Sequence, residues 1–106
     1  MGEKGYVIYL SPERKDRFRY YHVLERGKVV RFSVQYEALI GGEWRAIVRY
    51  DTAHGRPHKD LLHPNGAQER QDFRGYSPAE VLVLGERDIK ANWQQYRSVY
   101  EQEMRR

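Results

Sequence analysis

The chain has 106 residues and no cysteine, and its 19 basic and 15 acidic side chains give a net charge of +4 at pH 7. A chain of this length supports one domain with a single core. The absence of cysteine excludes disulfides and thiolate metal sites and favours a reducing compartment, so we expect a cytoplasmic protein. Hydrophobic residues make up 40% of the chain, which excludes the disordered class. The apolar run at 6–10 is too short for a signal peptide or a membrane span.

Alternating apolar and polar residues predict four strands in the first half of the chain. The first is a short β-rich run at 5–11, and the others cover 17–25, 29–40 and 43–51. In the last three, the apolar residues fall at even positions, a pattern typical of strands that are buried on one side only. The regular alternation therefore predicts an antiparallel meander with one apolar face.

Glycine-bearing turns are expected at 25–28 and 40–43. Apolar residues are even-numbered on both sides of the second turn, so a two-residue loop would pair an even position with an odd one. A three-residue turn with a bulge at glycine keeps the parity and pairs Ile40 with Trp44 and Tyr36 with Val48. The sequence therefore predicts that longer turn.

The segment "RYDTAHGRPHKDLLHP", residues 49–64, is interpreted as a hairpin around a loop at 52–57. Counting outward from that loop places Asp51 opposite His58 and Arg49 opposite Asp60. His54 is then expected at the loop tip, near both Asp51 and His58. Leucines at 61 and 62 suggest one more strand.

Residues 66–76 are polar and are predicted to be irregular, and a helix follows them. Ser77, Pro78 and Glu80 form the pattern of an N-cap, a first helical proline and a capping box. An apolar stripe at helical spacing is expected to pack on the even-numbered sheet face; it comprises Leu82, Ile89, Trp93, Tyr96, Tyr100 and Met104. Gly85 is expected to bend or interrupt the helix. The predicted fold is α+β, an antiparallel β-meander of four or five strands with a long C-terminal helix packed on one face.

The histidine-rich hairpin permits a structural interpretation and a catalytic one. In the structural interpretation, Asp51 accepts a backbone N–H group in an Asx-turn, His58 is its partner and His54 is solvated. In the catalytic interpretation, His54 and His58 form an acid/base pair, Asp51 orients one imidazole, and Arg49 or Arg56 stabilises the charged transition state. That combination is what metal-independent cleavage of RNA requires.

A third interpretation takes His54, His58, His63 and Asp51 as metal ligands. Their H-x3-H-x4-H spacing matches no standard zinc pattern, and strand geometry turns His58 and His63 to opposite faces. We therefore expect no metal and no cofactor. His22, on the apolar face of its strand, is expected to be a hydrogen-bonded core residue.

Four arginines and a tyrosine at odd positions are expected on the sheet face that the helix leaves uncovered; these are Arg19, Arg31, Arg45, Arg49 and Tyr21. Arginines beside an aromatic ring can hold phosphates and stack a base, which favours a nucleic acid as partner. Glu37 and Asp51 share this face and dilute its charge. The alternative is a solvated face of mixed charge.

The segment "WRAIVRYDTAHGRPHKDLLHPNG", residues 44–66, resembles a group of small prokaryotic uncharacterised domains with an R-Y-D-x-x-H-G core. This group is in turn similar, more remotely, to the TumE-like toxins of toxin–antitoxin modules. The matching positions are Arg49, Tyr50, Asp51, His54, Gly55 and His58. The resemblance implies a growth-inhibiting protein that an antitoxin neutralises, and it carries over no catalytic role.

Two functional hypotheses follow, and neither assigns an oligomeric state. The first is a small basic toxin-like protein that acts as a metal-independent ribonuclease. The second is a non-catalytic module that binds a protein or a nucleic acid through the arginine-bearing sheet face.

Overall fold

The computed structural model describes residues 2–106 as one six-stranded antiparallel sheet with a single long helix. The strands lie in the sheet in chain order, so the meander is confirmed. Their bounds are β1 Gly2–Tyr9, β2 Asp16–Glu25, β3 Lys28–Ile40, β4 Glu43–Asp51, β5 His58–Leu62 and β6 Gln68–Asp72, and helix α1 covers Pro78–Met104. Within the described part of the chain, no helix combines the length and the apolar content needed to cross a membrane.

The sixth strand, β6, corrects the prediction of four or five strands with an irregular segment at 66–76. Its sequence is QERQD, and all five side chains are exposed. An edge strand that buries neither face needs no apolar alternation, so it left no periodic signal. It is held by its ladder to β5, in which Asp72 pairs with His58 and Arg70 with Asp60.

Helix α1 covers one face of the sheet, which we call the helix face; the other is the open face. The core between helix and sheet contains the buried residues Phe18, Phe32, Val34, Tyr36, Ala38, Ile47, Val48, Tyr50, Val81, Leu82, Ile89 and Tyr100. Most of the predicted stripe packs here as expected, with Trp93 and Tyr96 partly buried, whereas Met104 is exposed.

The start of α1 is the predicted capping box. Ser77 Oγ accepts the Glu80 backbone N–H at 3.2 Å, and Glu80 Oε1 accepts the Ser77 N–H at 2.9 Å. These bonds lower the pKa of Glu80. The expected break at Gly85 is wrong, because α1 is continuous and Gly85 is buried against the ring of Tyr50. The absence of a side chain at Gly85 allows the helix to lie in close contact with the sheet.

The turn between β3 and β4 has two residues, so the predicted three-residue turn with a bulge at glycine is wrong. Ile40 pairs with Glu43, and both Gly41 and Gly42 have positive φ, at 61° and 81°. Glycines adopt this tight turn at little steric cost. The change of parity occurs instead within β4, where Ile47 is the extra residue of a bulge.

The bulge at Ile47 reverses the faces of the first half of β4. The predicted pairing of Tyr36 with Val48 is confirmed, but beyond it Ala38 pairs with Arg45. Because cross-strand partners share a face, Arg45 lies on the helix face and not on the open one. Arg45 is therefore removed from the predicted nucleic-acid set.

Arg97 joins the helix to the sheet at the β2–β3 end. Its Nη1 lies 2.8 Å from Asp16 Oδ1, and its Nη2 donates to the Leu39 carbonyl at 3.0 Å. Asp16 also accepts the Tyr36 hydroxyl at 2.5 Å, and burial together with this bond raises the pKa of Tyr36. Helix, strand and loop thus share one buried carboxylate.

Candidate functional site

The β4–β5 hairpin has the predicted register. Asp51 pairs with His58 and Arg49 with Asp60. Asp51 Oδ1 accepts the Ala53 N–H at 3.0 Å, so the predicted Asx-turn is present at the start of the loop. The local geometry of the structural interpretation is therefore confirmed.

Three side chains from this hairpin meet on the open face and form the Asp51–His58–Asp60 cluster. His58 Nε2 lies 2.9 Å from Asp51 Oδ1 and 3.4 Å from Asp60 Oδ2. All three are buried, with 9%, 2% and 2% of their surface exposed in chain order. His58 Nδ1 lies 3.0 Å from the Arg56 carbonyl oxygen, which can only accept, so Nδ1 carries a hydrogen.

Asp60 is a member of the cluster that the sequence analysis did not select. It accepts two hydrogen bonds from Arg70 of β6, at 2.9 and 3.2 Å. Burial opposes ionisation of Asp60, but the Arg70 bonds outweigh it and lower the pKa of this carboxyl. The available signal was the H-x-D spacing, since residues two apart on a strand share a face.

The catalytic interpretation requires the side chains of His54 and Arg56, but neither side chain reaches the cluster. His54 is exposed at the loop tip with φ at 67°, and within residues 2–106 no hydrogen bond or ion pair joins it to Asp51 or His58. Arg56 contributes only its carbonyl oxygen. The tip of the loop is a short 3₁₀ turn at Ala53–Gly55 in which His54 is exposed, whereas His58 is buried, so the two imidazoles do not form the predicted pair.

Arg49 is a bridging residue on the open face. Its Nε donates to Gln35 Oε1 at 2.6 Å and lies 4.0 Å from Asp51 Oδ2. Gln35 in turn donates to Glu37, which also binds Arg17 at 2.5 Å. The arginines and carboxylates of this region therefore largely neutralise each other.

Tyr50, the middle residue of the R-Y-D motif, points to the helix face. Its hydroxyl donates to Asp88 of α1 at 2.6 Å, as does that of Tyr96. Burial opposes ionisation of Asp88, but the hydrogen bonds that it accepts lower its pKa. Tyr50 thus attaches helix to sheet and takes no part in the cluster.

A shallow groove of about 410 Å³ crosses β1, β2 and β3, and Arg19 and Tyr21 lie in it. On the open face it is lined by Gly5, Val7, Arg19, Tyr21, Ser33 and Gln35. Tyr21 pairs with Gly5 on one side and with Ser33 on the other, and its Cδ1 lies 3.5 Å from where a Cβ atom would stand on Gly5. Its hydroxyl donates to Glu3 Oε2 at 2.9 Å. The side chain of Arg19 is 51% exposed, and Arg31 is exposed on the same face.

His22 and His63 lie away from the cluster. His22 is half-buried, and its Nδ1 is 2.6 Å from the Tyr20 hydroxyl. His63 lies between Glu103 of α1 and Glu69 of β6, with its ring nitrogens 2.7 and 2.5 Å from their carboxylates. Both glutamates raise the pKa of His63. The four residues that we considered as metal ligands therefore do not meet at one point.

The raised pKa of His63 predicts a pH-dependent contribution to stability. A group whose pKa is higher in the folded state stabilises that state fully below its ordinary pKa of 6.5 and loses the effect as pH rises through the folded value. We expect unfolding free energy to fall above neutral pH in the native chain, and this fall to be smaller in His63→Gln. Urea unfolding at several pH values measures it.

A proton NMR titration provides the control. The midpoint of His63 should lie above 6.5, and Glu103→Gln should lower it. A His63 midpoint at or below 6.5 would contradict the prediction.

Comparison with known proteins gives one result. No curated protein matches the chain, and no solved structure matches it. The grouping by the R-Y-D-x-x-H-G motif and the likeness to TumE-like toxins therefore stay predictions. A family model described as "Domain of unknown function (DUF7718)" matches residues 1–106, and the chain belongs to that family.

Proposed function

We propose that the chain is a cytoplasmic, non-catalytic module that binds single-stranded RNA in the groove on its open face. The observation that carries this proposal is the exposed ring of Tyr21, which lies in the groove with Arg19 and has the small residues Gly5 and Ser33 as its cross-strand neighbours. This is the second of the two hypotheses that the sequence supports.

The surroundings of Tyr21 suit the stacking of a base. The residue is 38% exposed, and its cross-strand neighbours, Gly5 and Ser33, are both small. The bond to Glu3 fixes the ring, so little side-chain freedom would be lost on binding. A base on such a ring contributes about 1–3 kcal/mol, with little dependence on sequence.

The arginines of the open face suit phosphate. Arg19 is half exposed, and its nearest carboxylate, Glu37, is 3.8 Å away and already bound by Arg17. Arg31 is exposed further along the same face. The net charge of +4 favours association with a polyanion from a distance. A single strand could thus place phosphates on these side chains while one base stacks on Tyr21.

The groove is accessible and the Asp51–His58–Asp60 cluster is buried, and this contrast favours binding over acid/base catalysis. A ribonuclease of the expected kind needs two accessible imidazoles, whereas His58 is 2% exposed and His54 is not beside it. The toxin hypothesis does not depend on that pair. It stays a prediction, as does an antitoxin partner.

Fluorescence anisotropy with a short unstructured RNA tests the proposal. We expect Tyr21→Ala to weaken binding about five- to a hundredfold, the loss of one stacked base. Arg19→Ala should reduce the dependence of log K on log salt by about 0.7, the value for one phosphate contact on a single strand.

Matched controls are available elsewhere on the surface. Tyr76→Ala removes a somewhat more exposed tyrosine outside the groove, and Arg87→Ala removes an exposed arginine from the helix, so both should bind as the native chain does. Equal weakening by Tyr21→Ala and Tyr76→Ala would contradict the proposal. Affinity that is independent of salt would show that the arginines contact no phosphate, and no measurable binding would exclude single-stranded RNA and leave a protein partner.

A further inference from the structure

We propose that the Asp51–His58–Asp60 cluster is a binding site for a divalent transition-metal ion such as Zn²⁺ or Mn²⁺. The residues of this site are not those that line the RNA groove, so either proposal can fail without the other. It shares Asp51 and His58 with the four residues whose spacing argued against a metal in the sequence, and it has Asp60 in place of His54 and His63.

The two separations that involve His58 Nε2 fit a shared ion. With metal–ligand bonds of about 2.1 Å, two ligand atoms of one ion lie roughly 3.0–3.4 Å apart. His58 Nε2 is 2.9 Å from Asp51 Oδ1 and 3.4 Å from Asp60 Oδ2. No two of the three donor atoms are more than 4.8 Å apart.

The buried nitrogen of His58 has no hydrogen-bond partner, which is the independent sign of a ligand. His58 is 2% exposed, and its Nε2 forms no hydrogen bond. Asp51 Oδ1 lies near enough to Nε2 for a hydrogen bond. It lies away from the axis of that nitrogen, however, so the angle does not permit one. Two ligands of one ion subtend about 90–110° at the metal, so the second ligand atom lies off the axis of the imidazole lone pair.

The partners of the cluster are those expected around metal ligands. A ligating histidine usually donates its other ring N–H to a carbonyl or carboxylate, and this holds its second nitrogen free for the metal. His58 Nδ1 donates to the Arg56 carbonyl at 3.0 Å. Both carboxylates are also oriented, Asp51 by the Ala53 N–H and Asp60 by Arg70.

The donor set decides the class of ion. One imidazole with two carboxylates is a mixed nitrogen and oxygen set, which suits Zn²⁺, Mn²⁺ or Fe²⁺ better than Mg²⁺ or Ca²⁺. Arg70 is 46% exposed over Asp60 and is the side chain that would move to admit the ion. Three protein ligands leave further coordination positions for solvent.

Metal-content analysis of the full chain after dialysis against Zn²⁺ or Mn²⁺ tests the site. We expect one equivalent bound, and an affinity at least about tenfold lower in His58→Gln and in Asp60→Asn. His54→Ala and His63→Ala remove exposed or half-buried imidazoles that could bind Zn²⁺ nonspecifically, and both should retain the equivalent.

Histidine nitrogen NMR keeps the test independent of whether a variant folds. In the unsubstituted chain, Zn²⁺ should shift the Nε2 resonance of His58 at one equivalent and leave that of His54 unchanged. A proton on His58 Nε2 that persists in the presence of Zn²⁺ would overturn the proposal. So would metal content that fails to saturate at one equivalent, or that is lost in His54→Ala and kept in His58→Gln.

Discussion

Arg97→Ala is expected to reduce the free energy of unfolding by about 3 kcal/mol. The substitution leaves Asp16, which is 4% exposed, without its cationic partner, and it removes the donor to the Leu39 carbonyl. Removal of one partner from a buried ion pair costs about 3–5 kcal/mol; the lower value applies because the Arg97 side chain is 20% exposed. Urea unfolding followed by circular dichroism at pH 7 measures the change.

The exposed helix residue Arg87 provides the control, and Arg87→Ala should change stability by no more than about 0.5 kcal/mol. If the cost arises from the unpaired carboxylate, Asp16→Asn combined with Arg97→Ala should cost less than the sum of the two single changes. Strict additivity, or a loss below about 1 kcal/mol for Arg97→Ala, would show that the pair does not hold the helix.

Gly85→Ala is expected to destabilise the chain, although the same change in an exposed helix stabilises by about 1 kcal/mol. A Cβ atom at position 85 would lie 2.6 Å from Tyr50 Cγ and 3.0 Å from Tyr50 Cβ. The ring cannot easily withdraw, because its hydroxyl is bonded to Asp88 at 2.6 Å. We therefore expect a loss of about 1–3 kcal/mol, typical of an overpacked core, measured by urea unfolding.

The sign of the change in unfolding free energy shows whether helix and sheet are in close contact at Gly85. In a Tyr50→Ala background Cγ and the rest of the ring are absent and only the 3.0 Å contact with Cβ remains, so Gly85→Ala should be less destabilising there than in the native chain. If Gly85→Ala stabilises the native chain, helix and sheet are not in close contact at this position.

Local rules predicted the elements whose determinants lie close together in the chain. The capping box at Ser77 and Glu80 was recognisable because both partners lie within one helical turn. The pairing of Asp51 with His58 followed from the length of one loop. In both cases the deciding atoms are near neighbours in sequence.

The errors at the β3–β4 turn and at Arg45 have a common physical cause, which is that packing overrode a regular alternation. Ile47 and Val48 are both buried in the core, so β4 accommodates them with a bulge, and this bulge carries Arg45 to the helix face. A single-sequence pattern does not show which of two adjacent apolar residues will break the register.

The candidate site was only half predictable, for a different reason. Asp51 and His58 are gathered by their own hairpin, but Asp60 is oriented by Arg70, and Arg70 lies on the polar strand that gave no signal. His54 was expected beside them because it is near in sequence. Its left-handed backbone at φ 67° places it at an exposed tip.

The chain order of the sheet has a consequence for synthesis on the ribosome. Each strand pairs with the one before it, so every hairpin can form as soon as its second strand has emerged. Helix α1 is translated after all six strands, and until then Phe18, Val34 and Tyr36 have nothing to cover them. The nascent chain therefore presents its apolar sheet to water late in translation, and this is the stage at which it is most prone to aggregate or to need a chaperone.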